Sequence, residues 1–197
     1  MRSALATLAV AALAPAAVVS STLTPSAERA TVTSATVAQP AQPLASPRDT
    51  ARGAIGGVRV LVDYGRPYKK GRTIFAADGL APFGKVWRTG ANAATTLVTS
   101  GDLMIGSTRL PAGTYTLYSV PGPTQWQLVI NRQTGQWGTV YDAAQDFARV
   151  PMTVTKIPAT EQFTVRVDTA QNRAAGSLTF RWDTTEAVAT IRPAERR

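Results

Sequence analysis

The 197-residue chain has the length of one domain, a formal net charge of +9 at pH 7, and neither cysteine nor histidine. The two missing residue types exclude disulfides, thiolate or imidazole metal sites, haem ligation by histidine, and every Ser-His-Asp or Cys-His catalytic unit. Acid–base chemistry is left to Asp, Glu, Lys or Tyr, only an oxygen-ligated Ca²⁺ or Mg²⁺ stays open as a metal, and no cofactor is implied.

Met1-Arg2 and the apolar run Ala4 to Val19 have the charged start and hydrophobic centre of a secretory signal peptide. The run is short for a membrane span and Pro15 interrupts it. Val19 and Ser21 suit cleavage after residue 21, and Thr36-Val37-Ala38 offers a later site. Residues 22–45 are rich in Ala, Thr, Ser, Pro and Gln, which bury too little surface to offset the entropy of ordering. They read as a disordered leader. The expectation is an exported protein, periplasmic or secreted, with no transmembrane segment once the signal is removed.

Residues 46–197 read as a single β domain. Thr50 to Ile55, the turn Gly56-Gly57 and Val58 to Tyr64 form a hairpin. In the return strand Val58, Val60, Val62 and Tyr64 share one face, so that face is core. After a long irregular stretch, Ala94 to Ser100 is rich in β-branched residues, and Leu103 to Ile105 and Thr108 to Leu110 flank a turn at Gly106-Ser107. Thr114 to Val120 and Trp126 to Asn131, joined by a Pro/Gly loop, form a second hairpin. A second irregular stretch, Arg132 to Phe147, has room for one helical turn at Ala143 to Phe147. Four more strands follow: Ala148 to Ile157, Gln162 to Asp168, Gly176 to Trp182 and Glu186 to Ile191. Short strands punctuated by Pro and Gly, with no real helix, predict an all-β antiparallel sandwich, with a jelly roll or open barrel as variants.

The stretch from Arg66 to Asn92 breaks this rhythm. It carries Arg66, Lys69, Lys70, Arg72, Lys85 and Arg88 against the single acid Asp78. It also carries Tyr68, Phe75, Phe83 and Trp87, which a disordered linker would lack. Loops this long are functional or disordered, and the aromatic content favours a loop packed on the domain while presenting charge.

Four blocks, DYGRPYKKGRTIF, APFGKVWRTGANAATT, LPAGTYTLYSVPG and WQLVINRQTGQWGTVYD, resemble domain of unknown function 2911, a bacterial exported family without an established activity. The resemblance covers about Ser46 to Ile157 and implies no substrate, cofactor or reaction. The chain departs from the family pattern twice: Ala93 stands where an acid is common, and Arg48 where histidine is common.

Among candidate groups, Arg66 and the run Arg88-Thr89-Gly90-Ala91-Asn92 combine guanidinium forks, a hydroxyl, an amide and glycine-freed backbone N–H groups. That set suits a carboxylate or phosphate; the alternative is an internal pair of Arg88 with Asp63 or Asp142. Lys70 and Arg72, in the basic run Lys69-Lys70-Gly71-Arg72, suit a solvated loop tip first, and after it an anionic envelope polymer or a lipid headgroup surface. No recognised nucleic-acid motif accompanies them, so no nucleic-acid partner is expected. Trp87, Trp126, Trp137 and Tyr141 could line a sugar platform, although the strand register of Trp126 favours the core. Asp142 and Asp146 could form a carboxylate pair, but two acids make a weak ion site and no metal is expected.

Three functions fit these residues. The preferred one is a binding module whose 66–92 and 132–147 loops form one face and take a small anionic molecule or an envelope glycan. The second is a hydrolase using carboxylates or Lys/Tyr at the same face; the third is a structural envelope protein. The export reading has a direct check: intact-mass measurement of the mature protein should find an N-terminus between about Thr22 and Gln39, and a retained Met1 would overturn it.

Overall fold

The computed structural model describes residues 45–170 and 174–195; the stretches expected to be a signal peptide and, but for Ala45, a leader lie outside them. Nine strands run in chain order: β1 Arg48–Ile55, β2 Val58–Gly65, β3 Thr95–Thr99, β4 Leu103–Ile105, β5 Thr108–Leu110, β6 Gly113–Val120, β7 Gln125–Asn131, β8 Asp146–Thr169 and β9 Gly176–Pro193. The helical turn expected near residue 143 is a short 3-10 turn, Ala143–Gln145, capped by Asp142. No helix among the described residues is long and apolar enough to cross a membrane.

All nine strands belong to one antiparallel sheet, ordered β1-β2-β3-β6-β7-β8-β9-β4-β5. This refines the sandwich reading: the hydrogen-bonded ladder is continuous, and it does not close into a barrel because no ladder joins β1 to β5. The four C-terminal strands expected from sequence are two long ones. Pro158 and the polar residues after it suggest a break, yet β8 stays paired with β9 through two register shifts, between Lys156 and Thr160 and between Thr160 and Thr164. At each shift β8 advances four residues while β9 advances two. Such bulges bend a strand without ending it.

The bend turns the second half of β8 towards the first hairpin. Tyr64 Oη donates to Val165 O (3.4 Å), Thr169 Oγ1 donates to Ala54 O (3.2 Å), and Phe163 N donates to Pro67 O (2.9 Å). The interior formed in this way holds Val60, Val62 and Tyr64 from β2, as their alternation predicts, with Leu117, Trp126, Leu128, Ile130, Phe163, Phe180 and Trp182.

The 66–92 loop packs as the sequence composition suggests. Ile74 and Ala81 are fully buried, and Phe75 and Trp87 join the aromatic centre. Trp87 stacks on Trp182 (centroids 5.8 Å, planes 21° apart) and meets Phe75, Trp126 and Phe163 edge-on. Its backbone takes the ladder position beside β6 that β3 leaves open: Trp87 N donates to Ser119 O (2.7 Å) and Ser119 N to Trp87 O (2.9 Å). Trp137, by contrast, is 54% exposed. Trp87→Ala should therefore lower the unfolding free energy by about 3–5 kcal/mol, while Trp137→Ala should change it by no more than about 0.5 kcal/mol. Equilibrium denaturation of the two variants measures both.

Candidate functional site

Once Trp87 is seated in the core, the chain has to turn sharply to reach β3. Three residues absorb the turn. Thr89 sits at φ +50°, a left-handed conformation that a β-branched residue rarely adopts, and it has no solvent exposure. It is held there by hydrogen bonding with Ser119 Oγ (2.7 Å), by its own hydroxyl donating to Trp87 O (3.2 Å), and by Thr95 Oγ1 donating to Thr89 O (2.7 Å). Gly90 follows at φ +150°, where an added Cβ would lie 2.9 Å from Thr95 Oγ1 and 3.0 Å from Gly65 O. Asn92 is left-handed as well, at φ +63°, and its Nδ2 donates to Ser46 O (3.2 Å). Local strain of this kind persists only where the surroundings over-determine it, and such spots cluster at functional sites.

The second irregular stretch docks on this turn. Gly138 N donates to Asn92 O (2.9 Å) and Ala94 N to Gln136 O (3.1 Å). The aliphatic stem of Arg88 runs over Gly138, where an added Cβ would lie 2.9 Å from Arg88 Cδ. Between the two loops, the amino-terminal residues of the domain and β6 lies an open cleft of about 430 Å³. A smaller depression of about 270 Å³, lined by Tyr68 and Lys70, shares Ser46 and Arg72 with it.

The cleft brings together five of the residues singled out from sequence: Arg72, Trp87, Arg88, Asn92 and Tyr141. Lys70 joins through the adjoining depression. The other four lie elsewhere. Arg66 is committed to the fold, with Nη1 on Asp49 Oδ2 (3.0 Å), Nε donating to Phe163 O (3.2 Å) and Nη2 donating to Thr164 Oγ1 (3.0 Å). Thr89 is buried behind the wall. Asp142 accepts from Ala144 N (2.9 Å) at the start of the 3-10 turn. Trp137 stands exposed on the turn that carries Gly138. The four aromatic residues proposed as a platform do not share a surface, because Trp87 and Trp126 are core residues.

Sequence reasoning missed Tyr118, Ser46 and Thr139, which also line the cleft. Tyr118 was hidden by its strand pattern. Residues Tyr115 to Ser119 of β6 are all buried, since the sheet interior covers one face and the 132–147 loop the other. Tyr118 Oη donates to Val140 O (2.8 Å) and accepts from Gln136 Nε2 (3.1 Å). No alternation signals that double coverage.

The electrostatics are one-sided. Among the described residues no Asp or Glu lines the cleft or the depression. Arg88 Nε donates to Gly90 O (3.3 Å), and no described residue pairs with its Nη1 or Nη2. Neither acid considered as its internal partner reaches it: Asp63 pairs with Arg48, and Asp142 caps the 3-10 turn. Arg72 is anchored by backbone carbonyls alone, donating to Lys69 O (3.0 Å) and Tyr68 O (2.5 Å). Burial pushes the Tyr118 and Tyr141 phenols above their ordinary pKa, and the hydrogen bond from Tyr141 Oη to Asp146 Oδ2 (2.6 Å) adds to the shift of Tyr141. Both phenols are therefore protonated near neutral pH and do not supply a base. Among the described residues no group of three or more acidic side chains is placed to hold a metal ion.

The model of the family described as Protein of unknown function (DUF2911) matches residues 46–191. The chain belongs to this family. Neither a curated protein nor a solved structure matches it. In this DUF2911 domain Arg48 and Ala93 meet in space: Arg48 Nη1 donates to Ala93 O (3.4 Å) while the same guanidinium pairs with Asp63. Arg48 thus ties β1 to β2 and to the end of the strained turn, next to the cleft but not on its wall.

The contrast between the two arginines is measurable by equilibrium unfolding. Arg66→Ala should cost about 1–2 kcal/mol, because it removes part-buried hydrogen bonds to Phe163 O and Thr164 Oγ1 along with a half-exposed pair with Asp49. Arg88→Ala should stay within about 0.5 kcal/mol of the parent, as expected of a side chain without an internal ionic partner.

Proposed function

We propose that this DUF2911 domain is a binding module whose cleft takes a small ligand bearing a phosphate or carboxylate. The observation that carries the reading is Arg88: a half-buried guanidinium at a concave wall, held by its stem against Gly138, with two terminal nitrogens free of any described partner. A planar fork with paired N–H donors matches the two oxygens of a carboxylate or phosphate. Arg72 adds a second positive charge, Lys70 a third in the adjoining depression, and no carboxylate on the walls competes with the ligand. Export, if it occurs, would put the cleft in contact with the anionic metabolites and polymers of the cell envelope.

The hydrolase alternative needs a pair of carboxylates, a deprotonated phenol or a lysine base, and of these the described walls supply only Lys70, in the adjoining depression. A purely structural role accounts for Arg66 but leaves Arg88 without a purpose.

Titration with inorganic phosphate, followed by thermal unfolding and calorimetry, tests the proposal. Stabilisation should grow with phosphate concentration as ligand linkage requires and weaken as sodium chloride rises. Arg88→Ala should abolish it, and Arg88→Lys should restore only part, because an ammonium is a point charge and not a fork. Equal phosphate binding by the parent and Arg88→Ala would overturn the assignment.

A further inference from the structure

We infer that the ligand is an anionic amphiphile: a single molecule whose phosphate or carboxylate sits at Arg88 and Arg72 while an alkyl or aryl portion lies along the rim of the cleft. This rests on the anion-binding reading above. The independent observation is where the domain leaves apolar surface in water. Among the described residues six large hydrophobic side chains are well exposed, and five belong to the cleft or its margin. Leu80 (46% exposed) and Val86 (36%) line the cleft itself, and Tyr68 (37%) lines the adjoining depression. Trp137 (54%) and Val140 (51%) stand at the two ends of the turn that places Gly138 and Thr139 on the wall, a turn closed by Val140 N donating to Trp137 O (2.8 Å). Only Val98, on β3, lies apart.

Single exposed hydrophobics need no explanation, but five of six placed on the walls of one concave site or next to them in sequence mark an interaction surface. A bare inorganic anion would use the guanidinium groups and leave this collar wet. A glycan would be matched by amide and carboxylate side chains as well as aromatic faces. Asn92, Ser46 and Thr139 on the wall can meet a sugar hydroxyl, but Leu80, Val86 and Val140 cannot, and no acid lines the cleft among the described residues. An amphiphile uses both halves of the surface. Its occupancy as a single molecule, and not as part of a bilayer, follows from shape: the cations lie within a cleft of about 430 Å³ and the apolar residues rim it, so a headgroup has to enter the cleft before the rim can be covered.

The experiment compares inorganic phosphate, ethyl phosphate and octyl phosphate, the last below its micelle concentration, by calorimetry on the full domain. Octyl phosphate should bind about tenfold or more tighter than ethyl phosphate, a factor that one large apolar contact supplies. It should also shift tryptophan emission to the blue where inorganic phosphate does not. Trp126 and Trp182 are buried away from the cleft and Trp87 on its wall is nearly buried, so loss of the shift in Trp137→Ser assigns it to Trp137. Trp137→Ser and Val140→Ser should each reduce the octyl-to-ethyl ratio, and Val98→Ser, away from the cleft, should keep it. Both rim residues are exposed, so circular dichroism should show these variants folded.

If inorganic phosphate binds and octyl phosphate binds no tighter, the amphiphile inference falls and the anion site stands. If neither binds, both fall. If the protein binds vesicles containing an anionic phospholipid but not monomeric octyl phosphate, the single-molecule reading is overturned in favour of a membrane surface. Retention of the full octyl-to-ethyl ratio in Trp137→Ser and Val140→Ser together would also overturn the role given to the rim.

Discussion

The pairing of Trp87 with Ser119 is the constraint from which the functional face follows. Two backbone hydrogen bonds and an aromatic stack fix one residue in the middle of a loop that otherwise has no regular structure. In a ladder, successive side chains point to opposite sides. With the indole turned into the sheet interior, the next side chain, Arg88, is delivered to the outer side. The return from that position to β3 then has to be made in very few residues, which is why a buried threonine and an asparagine adopt left-handed backbones around Gly90. Core packing, backbone strain and the exposed guanidinium are one event.

The same constraint explains how the charge is divided. The sequence offers many cations, and the fold uses most of those near acids as ties: Arg48 with Asp63, Arg66 with Asp49, Lys69 with Asp183, Arg149 with Asp146. Partly exposed pairs of this kind add modestly to stability but set register and loop position. Of the described cations without an acid partner, three, Lys70, Arg72 and Arg88, fall on the adjoining concavities, where solvent is partly excluded and a positive field is less screened.

Much of the fold was legible because the relevant signals are local. Alternation in Val58 to Tyr64, the Gly56-Gly57 turn and the Pro/Gly loop before Trp126 each specify a strand or a hairpin without reference to the rest of the chain, and β1, β2, β6 and β7 follow them. The C-terminal half was misread because Pro158 and its polar neighbours look like a terminator, and a bulge that keeps the ladder intact leaves no local mark. For the site, Arg72, Arg88, Asn92 and Tyr141 could be picked out by residue type. The separation of Arg66 from Arg88 could not, since it depends on Asp49 and Thr164, and Thr164 lies about a hundred residues away in sequence. Tyr118 shows the same limit, its outer face covered by a loop that carries no strand pattern.

The mutual docking of the two loops has a consequence for how the domain can vary. Asn92 and Ala94 pair through backbone with Gly138 and Gln136, and Trp87 is registered against Ser119, so the segment from Trp87 to Thr95 is pinned at both ends. Adding or removing one residue there would break either the pairing of Asn92 and Ala94 with the second loop or the registration of Trp87 that places Arg88. The earlier part of the loop, around Asp78 and Gly79, is closed by hydrogen bonds within the loop itself, Leu80 N to Thr73 O (3.1 Å) and Phe83 N to Ala76 O (3.1 Å). The wall that bears the guanidinium is thereby held to a fixed spacing by contacts outside its own loop.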